Sequence, residues 1–135
     1  MQSKNFSINV KTNNNEEMID VTISVDDILK ASEVKNGLIH LFVPHTTAGI
    51  TINENADSDV KDDILLGLKM AFPNRKEFQH FEGNSHAHIK SSLVGCSQSI
   101  IIENGKLKLG RWQGIYFCEF DGPRNRKLYI QIIGD

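Results

Sequence analysis

Cysteine is scarce in this chain of 135 residues, which holds Cys96 and Cys118 and no others. Two are too few for a disulfide scaffold, and no C-x-x-C pair marks a zinc knuckle or a thioredoxin-like redox site. A reducing, cytoplasmic setting is therefore expected. Long apolar runs are missing as well. Nowhere do about eighteen apolar residues follow one another, and the opening residues lack the apolar stretch of a secretory signal, so neither export by that route nor a membrane span is expected. Nor is there an excess of positive charge. Fifteen Lys and Arg against seventeen Asp and Glu leave a formal charge of −2, without the basic field that nucleic acid or an anionic membrane requires of a partner. The chain also has no phosphate-binding glycine loop, G-x-S-x-G elbow, H-E-x-x-H helix or EF-hand loop, which removes support for the commonest motif-borne activities.

What is present suits one domain. At 39% apolar content the chain can fill a single core burying somewhat under ~70% of its extended surface. The near-neutral total conceals an asymmetry. Residues 1–63 hold five basic and eleven acidic groups, a balance of −6, whereas residues 64–135 hold ten basic and six acidic groups, a balance of +4.

Alternation of Phe6, Ile8 and Val10 predicts a strand over 5–11, and a second follows over 18–23 after the polar run Asn13-Asn14-Asn15-Glu16-Glu17. Ser24 with Asp27 three residues on resembles a cap, predicting a helix over 25–34 that ends before Asn36-Gly37. A buried strand over 38–43 stops at Pro44 and resumes over 48–52, so His45-Thr46-Thr47 falls at an interruption between strand segments. Irregular backbone at a strand end is a common place for functional side chains. Val60, Ile64, Leu68 and Phe72 recur every fourth residue behind a crowd of aspartates, predicting a helix from Asn55 or Asp57 to Pro73. After a loop over 74–84, Asn84-Ser85 starts a short helix that Gly95 ends. The remainder reads as four strands over 96–103, 106–109, 113–120 and 127–133, with turns at Asn104-Gly105 and Asp121-Gly122-Pro123. About eight strands and three helices in segregated runs give an α+β fold, with the sheet curled enough to cover itself or the helices, as one domain over 1–135.

Three constellations could carry chemistry. The first is the histidine cluster His80, His86 and His88, in which imidazole offers both metal ligation and acid–base action near neutral pH. The other reading is solvated loop histidine. On one helix His86 and His88 point roughly 200° apart, so at most one can serve a given ion. His88, a turn from Ser91 and Ser92, is the better candidate, because His86 shares a stripe with Lys90 and Leu93. His40, alternating with Leu38 and Phe42, reads as a satisfied sheet histidine. The second constellation is His45-Thr46-Thr47 with Asn53-Glu54-Asn55, which either lines a polar cleft or merely caps the following helix. The third is the strand from Gln113, whose alternation sets Glu119 on one face with Ile115 and Phe117. That carboxylate either has a perturbed pKa useful for proton transfer or forms a salt bridge to Arg124 or Arg126. Cys118 is a thiolate ligand, a nucleophile or an inert buried thiol.

At these segments the chain resembles a known family. Pro44-His45-Thr46-Thr47-Ala48-Gly49-Ile50-Thr51 with Asn53-Glu54-Asn55-Ala56-Asp57, then Glu82-Gly83-Asn84-Ser85 with Ala87-His88-Ile89-Lys90, then Trp112-Gln113-Gly114-Ile115 with Cys118-Glu119-Phe120-Asp121-Gly122-Pro123-Arg124, are similar to the YjbQ-like family. That family carries the description of a secondary thiamine-phosphate synthase. The resemblance covers nearly the whole chain and implies a homotrimer of α+β subunits, each with a mixed, largely antiparallel sheet curled into a barrel-like form. It also implies a secondary ability to join hydroxymethylpyrimidine diphosphate to thiazole phosphate with release of pyrophosphate. The site it implies has His45, Glu54 and Glu119 as catalytic groups and Thr46, Thr47, Lys90 and Arg124 as contacts to a small phosphorylated metabolite. His45, His80 and His88 are the expected ligands of a divalent metal, zinc-like or magnesium, since three histidines leave a coordination position open. His86 is outside the matching positions. A binding module that retains a phosphorylated metabolite or a metal, and a trimeric scaffold with a vestigial cleft, are the competing classes.

Overall fold

The structure, a computed structural model, describes residues 1–135. Strands β1 (Gln2–Lys11) and β2 (Glu17–Asp20) precede helix α1 (Thr22–Ser32), and β3 (Gly37–Phe42) and β4 (Ala48–Glu54) precede α2 (Ser58–Ala71) and α3 (Ser85–Val94). Four strands finish the chain: β5 (Ser97–Glu103), β6 (Lys106–Leu107), β7 (Gln113–Glu119) and β8 (Asn125–Gly134). They form a five-stranded sheet in the order β1-β8-β3-β5-β6, curled into a half-barrel, and a three-stranded sheet in the order β2-β7-β4. Every pairing is antiparallel. The result is the α+β arrangement that the segregated strand and helix patterns predict.

Period-two alternation decides which side chains meet. In β8 every second residue is buried from Arg126 to Gly134, and Leu128, Ile130 and Ile132 face Ile39 and Leu41 of β3 on the same inner surface. Across from them stand Ile50 of β4 and Ile115 and Phe117 of β7, and α1 adds Val25 and Leu29 to the same core. The opposite face of the small sheet presents Met18, Tyr116, Cys118 and Phe120, covered by Ala87 of α3 and the half-buried Ile64, Leu65 and Leu68 of α2. Strand β7 is thus buried on both faces, which explains its unbroken apolar run.

Some boundaries move, for local reasons. Helix α1 begins three residues before its predicted start because Asp20, not Ser24, serves its first turn, accepting from the Thr22 N–H at 2.9 Å and the Thr22 hydroxyl at 2.6 Å. It ends at Glu33, which takes a left-handed conformation with φ 62°. Helix α2 is capped as expected by Asp57, whose carboxylate accepts from Asp59 N–H at 2.9 Å. Its predicted core stripe is only half-buried, however, and Leu66 and Met70 stand exposed, because the helix rests on the outside of the small sheet. No helix is long and apolar enough to cross a membrane.

Three contacts bring the future site together. Helix α3 lies over β4, with Ser91 Oγ donating to Ala48 O at 2.7 Å, and an added Cβ at Gly49 would stand 2.7 Å from Gly95 O. The β3–β4 interruption is tied to the end of β7 by Phe120 N–H donating to Thr47 O at 3.1 Å. Val43 N–H donates to Cys96 O at 2.8 Å, bringing the start of β5 beside it.

Candidate functional site

At the junction of these segments is a cleft of about 530 Å³. One wall is the β3–β4 interruption, His45-Thr46-Thr47, which Pro44 keeps out of the ladder. The opposite wall is the start of α3, with Asn84 and His88, and the turn after β7, with Asp121 and Arg124, closes one side. Arg126 and the exposed Cys96 complete the lining.

The most constrained group is Glu119, fully buried at the end of β7. Its Oε2 accepts from Arg126 Nε at 2.7 Å and from the Thr12 hydroxyl at 2.9 Å, and its Oε1 accepts from Arg126 Nη2 and from Asp121 N–H at 2.9 Å. Burial alone would push this carboxyl up, but the bonds from Arg126, the Asp121 N–H and Thr12 outweigh it and hold the group below the usual carboxylate range. A carboxylate with four donors and a depressed pKa is a poor proton carrier. Its evident work is to hold Arg126, whose Nη2 also donates to Thr47 Oγ1 at 2.8 Å. No hydrogen bond within the chain engages Arg126 Nη1, and the residue lines both the cleft and a recess beside Asn9, Val10 and Lys127.

His45 is half-buried, and its Nε2 accepts the backbone N–H of Lys127 at 2.9 Å. That bond requires an unprotonated Nε2, so the neutral ring carries its proton on Nδ1. Burial and then the Arg126 charge lower its pKa, outweighing the opposing influence of Glu119. The imidazole is therefore a neutral Nδ1–H donor at physiological pH.

Beyond this network, Asp121 Oδ2 accepts from Asn84 Nδ2 at 2.8 Å and from Arg124 Nη2 at 2.9 Å, while Arg124 Nε donates to Asp121 O at 2.7 Å. Arg124 is half exposed and reaches solvent at the cleft mouth. Asn84 Oδ1 is buried without a partner.

The structure gathers His45, Thr46, Thr47, His88 and Arg124 around one cleft, with Glu119 directly beneath. Three expected members, Glu54, Lys90 and His80, do not line it. Glu54 sits at the far end of β4, seven residues along an extended strand from Thr47, and does not line the cleft. Lys90 is buried on the inner side of α3, where its Nζ donates to Glu16 Oε2 at 2.8 Å and pins the helix to the β1–β2 connection. The expected metal ligands do not fit one ion. His80 and His88 meet edge to face with ring centroids 5.4 Å apart, His45 Nε2 is engaged by Lys127, and no three His, Cys, Asp or Glu side chains stand close enough to share a metal. His86 lies half-buried outside the cleft with Nδ1 unpartnered. Cys118 is inert, since burial pushes its thiol up to about 12. His40 is satisfied as expected, its Nδ1 lying 2.8 Å from Ser99 Oγ on the outer sheet face.

Two members escaped sequence reasoning as site residues. Arg126 was visible only as a partner for Glu119, and Thr12 not at all. The available signal was parity: Arg126 occupies an inward position in line with Leu128 and Ile130, just as Glu119 does with Ile115 and Phe117. Two inward charges of opposite sign predict each other.

A family model described as "UPF0047 protein YjbQ-like" matches residues 6–135. The chain belongs to the YjbQ/UPF0047 family. A UPF0047 protein of Methanocaldococcus jannaschii is 58% identical over 130 residues, 96% of this chain and 94% of that protein. The UPF0047 protein YugU of Bacillus subtilis is 53% identical over 129 residues, 95% of this chain and 98% of its own. Among solved structures, an uncharacterized conserved YjbQ/UPF0047 protein of Clostridium acetobutylicum superposes with a TM-score of 0.92 at 58% identity, covering 95% of this chain and 99% of that one. A protein of unknown function from Sulfolobus solfataricus gives a TM-score of 0.95 at 33% identity, covering 99% of each chain. Membership in the YjbQ/UPF0047 family thus comes with relatives whose names assign no reaction.

Proposed function

We propose that the cleft binds the phosphate of a small phosphorylated metabolite, and that the chain can use this site as a secondary thiamine-phosphate synthase. The carrying observation is Arg126: a guanidinium that lines the cleft, is locked by a buried carboxylate and by Thr47, and has Nη1 without a partner in the chain. A pre-oriented cation loses little freedom when it meets an anion, so it binds oxyanions better than a mobile lysine does. Arg124 and the Nδ1–H of His45 add donors to the same space.

In the coupling reaction, a thiazole ring nitrogen would attack the pyrimidine methylene carbon as its bond to the diphosphate oxygen breaks. The nitrogen becomes the cationic centre of the product, and the bond electrons leave with pyrophosphate. No proton must be abstracted, so the chemistry does not need Glu119 as a free base. What the step needs is stabilisation of the departing anion, and two arginines with a neutral imidazole donor supply it.

The second reading, retention of a phosphorylated metabolite without turnover, is favoured by the fixed donors themselves, since the locked Arg126 and the His45 Nδ1–H recognise an oxyanion whether or not a bond then breaks. Incubation of the protein with both precursors and magnesium, followed by mass spectrometry for thiamine phosphate, separates the two. Product above a protein-free control, abolished in Arg126→Gln, supports the synthase. Saturable phosphate binding without product leaves retention.

Association as a homotrimer belongs to the same proposal. Its support is the outer face of the large sheet, where Leu38 pairs with both Ile101 and Ile133 and the three are 50%, 54% and 38% exposed. Light scattering coupled to size exclusion tests it. Both thiols are free, as a cytoplasmic location would require.

A further inference from the structure

The two carboxylates that line the cleft, Glu82 and Asp121, are in opposite situations. Asp121 is paired, its Oδ2 accepting from Asn84 Nδ2 at 2.8 Å and from Arg124 Nη2 at 2.9 Å. Glu82 accepts no hydrogen bond within the chain, and its one ion-pair contact is His80 Nε2 at 3.9 Å, too long and too exposed to neutralise it. Its place is nonetheless set. Gly83 N–H donates to His80 O at 3.1 Å, closing a tight turn in which Gly83 takes φ 74°, a conformation that favours glycine. The His80 ring rests edge to face on His88 of α3, and Asn84 is tied to Asp121, so the turn is held on either side of Glu82. The cleft is thus polarised. Arg126, Arg124 and the His45 Nδ1–H are donors, whereas Glu82 brings an unpaired negative charge to the wall before α3, where Asn84 Oδ1 also lacks a donor.

We infer that the phosphorylated ligand of the cleft carries a cationic nitrogen a few bonds from its phosphate, and that Glu82 receives that cation. The inference rests on the phosphate reading above and narrows the ligand from phosphate esters in general to those bearing an ammonium or another positive nitrogen. A cleft serving phosphate alone would gain nothing from Glu82, because an unpaired carboxylate in the same space repels the anion. With a zwitterionic ligand that repulsion becomes attraction at the second charge, and the same carboxylate disfavours simple phosphates, inorganic phosphate included. Arg126 and Glu82 line one space of about 530 Å³, so a small ligand can meet both.

Calorimetric titration of the intact protein with phosphoethanolamine and with propyl phosphate, its isostere without the ammonium, tests the assignment. Low salt and about pH 8 are the conditions, so that surface charges act and both phosphates, with a second pKa of ~6, are dianions. Phosphoethanolamine should bind about threefold to fivefold more tightly than propyl phosphate, the size of a solvent-accessible ion pair. Glu82→Gln, with circular dichroism as the fold control, should tighten propyl phosphate, because a repelling charge is gone, and should bring the ratio to about one. Equal affinities in the unsubstituted protein, or a preference that survives Glu82→Gln, would overturn the cation assignment while the phosphate site stands. Failure of both probes to bind would remove the phosphate reading and this inference with it.

Discussion

Arg126 grips Glu119 through one edge of its guanidinium, Nε to Oε2 at 2.7 Å and Nη2 to Oε1, between two sheets and almost out of reach of water. The two residues are seven apart in sequence on successive strands joined by the Gly122-Pro123 turn. Their pairing couples the integrity of the core to the shape of the cleft, since the same guanidinium holds Thr47.

Glu119→Gln should therefore destabilise the fold strongly. Neutralising one partner leaves the other charge buried, and the expected loss is about 3–5 kcal/mol. Urea unfolding followed by circular dichroism measures it, and a loss under about 1 kcal/mol would show that water reaches Arg126 after all.

Acid should weaken the protein through the same group. The folded carboxyl of Glu119 is held below its ordinary range, so its contribution is fully present above that range. It disappears as pH falls through the depressed folded value. Thr12→Val removes one donor from the carboxylate, should cost about 1 kcal/mol at neutral pH, and should move the acid limb of the urea midpoint to higher pH. An unchanged acid limb would assign the limb to other carboxylates.

His45 should titrate below free histidine in nitrogen-detected NMR, with the proton on Nδ1 of the neutral ring. A lowered folded pKa means that the unfolded chain takes the proton first, so this group also contributes stability above the ordinary histidine range and loses it as pH falls through the folded value. Arg126→Gln removes a repelling charge and should raise the His45 pKa. A fall instead would mean that Glu119 dominates the imidazole.

Lys90 and Glu16 provide a control for the boundary of the site. Lys90→Met replaces the buried ammonium with an apolar chain of similar length, and Glu16→Gln strands it. Glu16→Gln should be the more destabilising of the two by chemical denaturation, because it leaves the buried charge unpaired. Phosphate affinity should be unchanged in Lys90→Met, and a loss there would return Lys90 to the cleft.

Much of this was legible along the chain. Alternation in β7 sorts Ile115, Phe117 and Glu119 from Tyr116 and Cys118, and the two sets do enter different cores. Pro44 and the flanking strands mark His45-Thr46-Thr47 as an interruption, and that interruption is a wall of the cleft. Glu54 and Lys90 were not separable from true neighbours in this way. Proximity in sequence to Thr47 and His88 says nothing about which end of a strand or which side of a helix faces the cleft.

The sequence by itself determined the elements and their buried faces, because periodicity and capping are local properties that a few neighbouring residues impose. The tertiary structure alone decided which charges meet. Glu119 and Arg126 come from two strands and Thr12 from just past the end of β1, and the Glu119 hydrogen bond from Thr12 spans 107 residues. A buried ion needs its partners within hydrogen-bond reach, and only the register of β1 on β8, and the closing of the small sheet over the large one, bring them there.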